Sequence, residues 1–173
     1  RQMCIRDSFK VAKNTEHPFV VTAGELEVLV TGTTFGVWAY KDEKDIQTTL
    51  ESGQVTVRVE GKSVKLVPNK QVLFNKLTMG VEVRDVDVDL YLAWADGRLV
   101  YDNCPLEKIL TDLGRWYNID VFYSRDELRS YQFSLNMKKH EEFIQVLELI
   151  GKTGEVQFEV KDNTVIVLSL IHI

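Results

Sequence analysis

The sequence predicts an α+β protein, in which an all-β domain is followed by a small domain of two duplicated β-α-β units. Residues 19–72 alternate apolar and polar positions and are rich in β-branched and aromatic side chains, a pattern typical of half-buried strands. After Trp94 the apolar spacing changes to the helical period of 3.6 residues. The helical pattern occurs twice, 37 residues apart, which indicates an internal duplication.

Strands in the first part are predicted where apolar residues at every second position share one face. These positions are Val28 and Val30, then Phe35, Val37 and Ala39, and later Val55, Val57 and Val59. Turns are predicted at Ala23-Gly24, Gly32, residues 41–45, Ser52-Gly53 and Glu60-Gly61-Lys62, with hairpins expected at the last two. About seven short strands result, and no helix is expected before Asp102.

Two helices are predicted in the second part. The first follows Pro105, which suits a first helical position, and its apolar face consists of Leu106, Ile109, Leu110 and Leu113. The second repeats that spacing with Phe143, Val146, Leu147 and Ile150. Gly114 and Gly151 are expected to end these helices.

Short strands are predicted around both helices, at residues 98–101 and 132–135 before them and at equivalent positions after them. The positions after the helices correspond as Ile119 with Val156, Val121 with Phe158, and Tyr123 with Val160. Ser124 and Glu127 fit a capping box for a small connecting helix. Asp162-Asn163 is a predicted turn into a last strand at residues 164–167.

Composition excludes two classes of function. The 173 residues carry a formal charge of −5, and a surface for nucleic acid needs clustered Lys and Arg instead. No apolar run approaches the ~20 residues that a transmembrane helix requires.

Both ends look foreign to the rest of the chain. Residues 3–8 read MCIRDS and residues 168–173 read LSLIHI, and DNA sequences that can encode them are reverse complements. Residues 1–8 and 168–173 are therefore interpreted as translated library adapters. The alternative is a genuine basic start and a genuine apolar last strand. Without residues 1–8 one cysteine, Cys104, remains, and it cannot form an internal disulfide.

Three aspartates form the first candidate site. Asp85, Asp87 and Asp89 alternate with valines, which would place three carboxylates on one face of a strand, where they could hold calcium or magnesium. A solvated strand face is favoured, because no turn brings ligands around an ion. No metal and no cofactor is predicted.

Nucleophiles and bases give no catalytic pattern. His17 and His140 lack a partner at the spacing of a triad or a metal site. Cys104 precedes a helix and could be a thiol of low pKa, but a structural role is favoured because no base is apparent. The glycines of residues 32–36 lead into a strand, so they do not form a phosphate loop.

Aromatic residues suggest two binding surfaces. Arg115, Trp116 and Tyr117 could form a recognition patch, although the favoured interpretation is that Trp116 covers the core while Arg115 stays exposed near the helix end. Trp38, Tyr40, Trp94 and Tyr101 could form a stacking platform for a glycan or another envelope ligand.

A family resemblance enters through the order of several motifs. Residues 20–40 read VVTAGELEVLVTGTTFGVWAY, and TLESGQVTV at 49–57 and LVPNKQ at 66–71 follow. This order resembles the periplasmic FecR domain, assigned to residues 9–92. One departure is Asn69, where the family more often has glycine after the proline.

The later motifs resemble the C-terminal domain usually joined to the FecR domain. They are Trp94, GRLVY at 97–101, PLEKIL at 105–110 and LGRWYNI at 113–119. That domain, assigned to residues 93–167, is similar to the short N-terminal domain of secretins and TonB-dependent transporters, itself a doubled strand-helix-strand unit.

The resemblance implies a regulator rather than an enzyme. Its parent would be a single-pass inner-membrane anti-sigma factor that holds an extracytoplasmic-function sigma factor through a cytoplasmic segment absent from this sequence. The present region would face the periplasm and bind the N-terminal signalling domain of a TonB-dependent outer-membrane transporter. The family has no catalytic residues to carry over, and the partner-binding residues are unknown. Strand addition at residues 164–167 is one hypothesis, in which Val165→Pro would weaken binding.

Overall fold

The computed structural model describes residues 5–138 and 143–170. The chain divides into two compact units, Arg1–Asp96 and Gly97–Ile173. The structure is rich in β-sheet with few helices, as expected for an α+β protein. Within the part of the chain that the structure describes, no helix is long and apolar enough to cross a membrane.

The first unit contains two antiparallel sheets. One has five strands in the order β1-β4-β5-β8-β9 and the other has four in the order β2-β3-β6-β7. The strands are β1 Ile5–Lys10, β2 Phe19–Ala23, β3 Leu26–Val30, β4 Thr34–Ala39, β5 Asp45–Ser52, β6 Val55–Val59, β7 Lys62–Leu66, β8 Lys70–Asn75 and β9 Val81–Asp85. The seven predicted strands correspond to β2 to β8.

One apolar core lies between the two sheets, because alternate residues of each sheet point inward. Val28 and Val57 from one sheet belong to the same buried cluster as Phe35, Leu50 and Phe74 from the other. Alternation in the sequence therefore identified the inward faces correctly.

The predicted hairpin turns are partly confirmed. Ala23-Gly24, residues 41–45 and Glu60-Gly61 each connect paired strands. Ser52-Gly53 is not a hairpin turn, because β5 and β6 belong to different sheets. Gly32 and Gly53 have φ angles of 126° and 89°, and a Cβ added at Gly53 would lie 2.5 Å from the carbonyl oxygen of Gly32. Because these glycines have no side chain, the two segments that connect the sheets, after β3 and after β5, can come into contact.

Asn69 adopts the conformation that its position requires. Its φ is 65°, and the Lys70 N–H donates to the Val67 carbonyl at 3.3 Å, which closes a turn with Pro68 at its second position. Asparagine tolerates this left-handed conformation better than most residues, so it replaces the expected glycine.

A short helix before Asp102 was not predicted. Helix α1, Val88–Leu92, continues into a 3₁₀ turn at Ala93–Asp96. Leu92 lies against Gly36 on the outer face of the five-stranded sheet. Beside it, Arg84 donates to the buried Gln71 at 2.8 Å and to the Tyr91 hydroxyl at 3.1 Å. Five residues are too few to show a helical period, so no pattern in the sequence predicted this helix.

In its described residues, the second unit contains two α-helices and two small sheets. Its elements are β10 Arg98–Pro105, α2 Leu106–Tyr117, β11 Asp120–Tyr123, a 3₁₀ helix at Asp126–Ser130, β12 Gln132–Lys138, α3 Phe143–Gly151, β13 Val156–Lys161 and β14 Thr164–Ser169. Strands β10 and β12 pair antiparallel, and the other sheet has the order β11-β14-β13. The predicted apolar stripes of both helices lie in one core.

Details at the helix ends differ from the predictions. Pro105 is the N-cap of α2 rather than its first helical residue. Gly114 lies inside α2, which ends at Asn118 in the left-handed conformation (φ 53°, ψ 55°). The capping box at Ser124 and Glu127 is also wrong, because Arg125 is the N-cap of the 3₁₀ helix and makes no side-chain capping bond.

Candidate functional site

The candidate site is the edge of the three-stranded sheet at β13. Strand β14 lies in the centre of that sheet, parallel to β11 on one side and antiparallel to β13 on the other. The hypothesis that residues 164–167 add a partner strand is therefore wrong, and Val165→Pro would disrupt the protein's own sheet. Within the described residues, β13 pairs with β14 alone.

The hydrogen-bonding direction of β13 follows from its neighbours. The N–H groups of Asp120 and Ser124 donate to the carbonyls of Asn163 and Val167, both at 2.9 Å. Odd-numbered residues of β14 therefore face β11, and even-numbered ones face β13. With Lys161 opposite Thr164, residues 157, 159 and 161 bond to β14. The N–H and C=O groups of Val156, Phe158 and Val160 consequently point to the free edge.

An apolar groove runs beside this edge, between α3 and β13. It encloses about 560 Å³ and is lined by Ile144, Leu147, Gly151, Val156, Phe158 and Val160, among others. Ile144 is 50% exposed and Val160 is 43% exposed. Large apolar side chains next to unpaired backbone groups form a surface that an extended strand of a protein could bind.

The local sequence explains why the groove stays open. Val146, Leu147 and Ile150 bury one face of α3 in the core, whereas Ile144 and Leu149 lie outside this face. Gly151 ends the helix opposite β13 without a side chain. A Cβ there would be 3.7 Å from the Val156 carbonyl oxygen, which is ordinary van der Waals contact.

Charged residues occupy the other face of β13. Glu159 and Lys161 are exposed and alternate with the apolar groove residues, and Glu155 directly precedes the strand. Alternation of this kind gives the strand one apolar face and one charged face. Glu148 and Lys152 of the α3 side also line the groove, with opposite charges.

The buried carboxylate of Asp112 holds α2 in place beside the core of the second unit. Asp112 is 1% exposed, and its two oxygens accept hydrogen bonds from the Tyr101 hydroxyl at 3.1 Å and the Lys108 ammonium at 3.0 Å. Arg115 approaches the carboxylate to 3.9 Å. Paired in this way, Asp112 serves the structure of the unit.

The three aspartates do not form the predicted face. Strand β9 ends at Asp85, which pairs with Lys70 at 2.7 Å. Asp87 is the N-cap of α1 and accepts a hydrogen bond from the Asp89 N–H at 3.1 Å. The three residues thus leave the strand, and no group of three potential metal ligands exists among the described residues.

Cys104 and the two histidines are the remaining candidates for a chemical role. Burial raises the pKa of the Cys104 thiol to about 11, against a smaller lowering effect of Lys108. This shift is opposite in direction to that of a reactive thiol, although Cys104 does precede a helix. His17 lies in an exposed loop, where its backbone N–H donates to the side-chain oxygen of Asn14. His140 lies outside the described residues.

The aromatic surfaces also differ from the predictions. Trp38 is only 8% exposed and contacts Tyr40 edge to face, and Tyr101 belongs to the other unit, where it bonds to Asp112. Trp38 is therefore not exposed for stacking, and the Tyr101 hydroxyl is engaged within its own unit. Trp116 packs on the core as expected, but the Arg115 side chain is 19% exposed rather than free in solvent.

Sequence reasoning missed the β13 groove itself. The available signal was an apolar residue, Ile144, outside the helical stripe, together with the alternation of residues 156–160. Neither shows which strand lies at an edge.

Comparisons with known proteins agree with this architecture. Residues 98–167 match the model of the FecR C-terminal domain. Two crystal structures of a "putative anti-sigma factor" from Parabacteroides distasonis, at 1.65 and 2.50 Å resolution, are similar to this chain, with TM-scores of 0.79 and 0.78. Each is 21% identical, and the matches cover 95% of this chain and 77% and 76% of theirs.

At this identity the structural likeness shows the fold alone, and no curated protein matches the sequence. The match of residues 98–167 is a match of sequence to a defined domain, and it covers less than half of the chain. Residues 98–167 of this chain are therefore identified as a FecR C-terminal domain.

Proposed function

We propose that this chain is the signal-receiving region of a membrane-anchored anti-sigma regulator. Its partner is the N-terminal signalling domain of a TonB-dependent outer-membrane transporter. A cytoplasmic segment of the parent, outside this sequence, holds an extracytoplasmic-function sigma factor. The region faces the periplasm, and its role is regulatory rather than catalytic.

The observation that carries the proposal is the FecR C-terminal domain at residues 98–167. We assign residues 9–92 to the FecR domain, residues 93–167 to the domain that resembles the transporter signalling domain, and residues 1–8 and 168–173 to adapter sequence. The two strand-helix-strand segments are an internal duplication. In support, Gly114 and Gly151 both face the carbonyl of the residue five positions later, Ile119 and Val156.

Docking takes place at the free edge of β13. A strand of the transporter domain bonds to the outward N–H and C=O groups of Val156, Phe158 and Val160, and its apolar side chains enter the groove beside α3. Main-chain bonds supply affinity, and the groove selects the side chains.

Signal transfer is a shift between two existing states of the parent protein. The transporter domain must bind one state more tightly than the other, because a partner with equal affinity for both shifts nothing. The favoured state exposes the parent to proteolysis, which releases the sigma factor.

Calorimetry at moderate salt tests the proposal, with this chain titrated by the signalling domain of the transporter encoded beside it. We expect saturable one-to-one binding, strongly weakened by Val160→Asp, which puts a carboxylate into the groove. Val20→Asp is the matched control, because Val20 is similarly exposed, at 47%, on β2 of the other unit. Absence of binding between two folded partners would contradict the proposal, and equal losses for both variants would refute the docking site.

A further inference from the structure

The free edge of β13 is complementary to itself. When two copies of β13 run antiparallel with Phe158 opposite Phe158, Val156 lies opposite Val160 of the other copy. These are the residues whose N–H and C=O groups point outward, so the pairing completes the backbone hydrogen bonds of both strands.

The charges on the opposite face fit the same register. Glu155 of each copy lies opposite Lys161 of the other, and the two-fold symmetry makes this ion pair twice. Both residues occupy non-hydrogen-bonded positions of the new ladder, where side chains directly opposite each other are closer and opposite charges are favourable.

Other registers lose this complementarity. A shift of two residues in one direction places Glu155 opposite Glu159, and a shift in the other direction places Glu159 opposite its own copy. Like charges directly opposite each other destabilise an antiparallel pair. The exposed charges that protect an edge from random pairing here select one register.

We propose that a second copy of this chain binds the β13 edge, so that two three-stranded sheets join into a continuous six-stranded sheet across a two-fold axis. The apolar groove of each copy, with Ile144 and Val160 at its rim, faces that of the other copy and is buried from water. Because a transporter strand uses the same edge, dimerisation and signal reception exclude each other. This last step rests on the proposed function, whereas self-association does not.

Sedimentation equilibrium of the whole chain, from micromolar to millimolar concentration, tests self-association. We expect a reversible monomer-dimer equilibrium. Glu155→Lys and Lys161→Glu each replace two ion pairs by like-charge pairs and should each weaken dimerisation on the order of tenfold. The double variant Glu155→Lys/Lys161→Glu restores both pairs and should dimerise like the unchanged chain.

Lys65→Glu is the control, because it changes an exposed charge on β7 of the other unit. It should leave dimerisation unchanged. A chain that stays monomeric at every concentration, or a double variant that dimerises no better than either single variant, overturns the inference. Circular dichroism of each variant checks that its fold is retained.

Addition of the transporter signalling domain separates the two proposals. Dissociation of the dimer into one-to-one complexes supports both. A chain that dimerises by the charge-swap criterion but does not bind the signalling domain refutes the proposed function alone. A monomeric chain that binds the signalling domain refutes the second copy alone.

Discussion

The Tyr101 hydroxyl donates a hydrogen bond of 3.1 Å to the carboxylate of Asp112, which is almost completely buried. The bond ties β10 to α2 across the core of the second unit. A buried carboxylate is costly unless its oxygens are satisfied, and Lys108 and Arg115 also approach it, at 3.0 and 3.9 Å.

Removal of this carboxylate should destabilise the second unit. Asp112→Ala removes the acceptor of the Tyr101 hydroxyl and of the Lys108 ammonium, and also the negative charge near Arg115. It should cost about 3 kcal/mol in the free energy of unfolding. Tyr101→Phe removes one hydrogen bond and should cost about 1 kcal/mol. Urea denaturation measures both, and equal costs for the two variants would contradict this arrangement.

The two glycines of the helices should respond differently to alanine. A Cβ at Gly114 would lie 2.9 Å from the Ile119 carbonyl oxygen, so Gly114→Ala must displace backbone and should destabilise by about 1–3 kcal/mol. Gly151→Ala is the matched control, because its Cβ would have ordinary contacts and should be tolerated. Thermal denaturation of the two variants tests the difference, and equal melting temperatures would refute it.

Leu92 and Gly36 should be energetically coupled. Gly36→Ala places a methyl group where the Leu92 side chain now lies, and Leu92→Ala removes the side chain that holds α1 on the sheet. In the double variant the new methyl group occupies vacated space. The double variant should therefore lose less free energy of unfolding than the sum of the two single variants, by about 0.5–1 kcal/mol or more. A double-mutant cycle in urea measures the coupling, and strict additivity would contradict the contact.

Cys104 should react slowly with thiol reagents at neutral pH. Its pKa is raised to about 11 because burial disfavours the thiolate. Alkylation by iodoacetamide, measured in a Cys4→Ser variant, should accelerate only as the pH approaches 11. Rapid alkylation at pH 7 would show that the thiol is not buried as described.

The same shift gives a pH dependence of stability. The pKa of Cys104 is higher in the folded chain than its ordinary value of 9.0. The contribution of the protonated thiol to the free energy of unfolding is therefore complete below pH 9. It is lost as the pH rises from 9 towards 11, because the unfolded thiol ionises first. Cys104→Ala should therefore flatten the fall in stability over that range.

The sequence by itself determined which residues are buried in most elements. Alternation identified the inward faces of β3, β4 and β6, and the 3.6-residue period identified the core stripes of α2 and α3. These patterns are local, because each strand or helix must turn its own apolar side chains towards a core. The family motifs likewise identified the FecR C-terminal domain.

The tertiary structure alone decided which strands are neighbours and which edges stay open. Alternation is the same for a central strand as for an edge strand. The sequence therefore could not show that β14, which contains residues 164–167, lies in the centre of its sheet and that β13 lies at the edge. A strand's hydrogen-bond partners can lie far away in the sequence, and the binding edge therefore emerges only when the sheet is assembled.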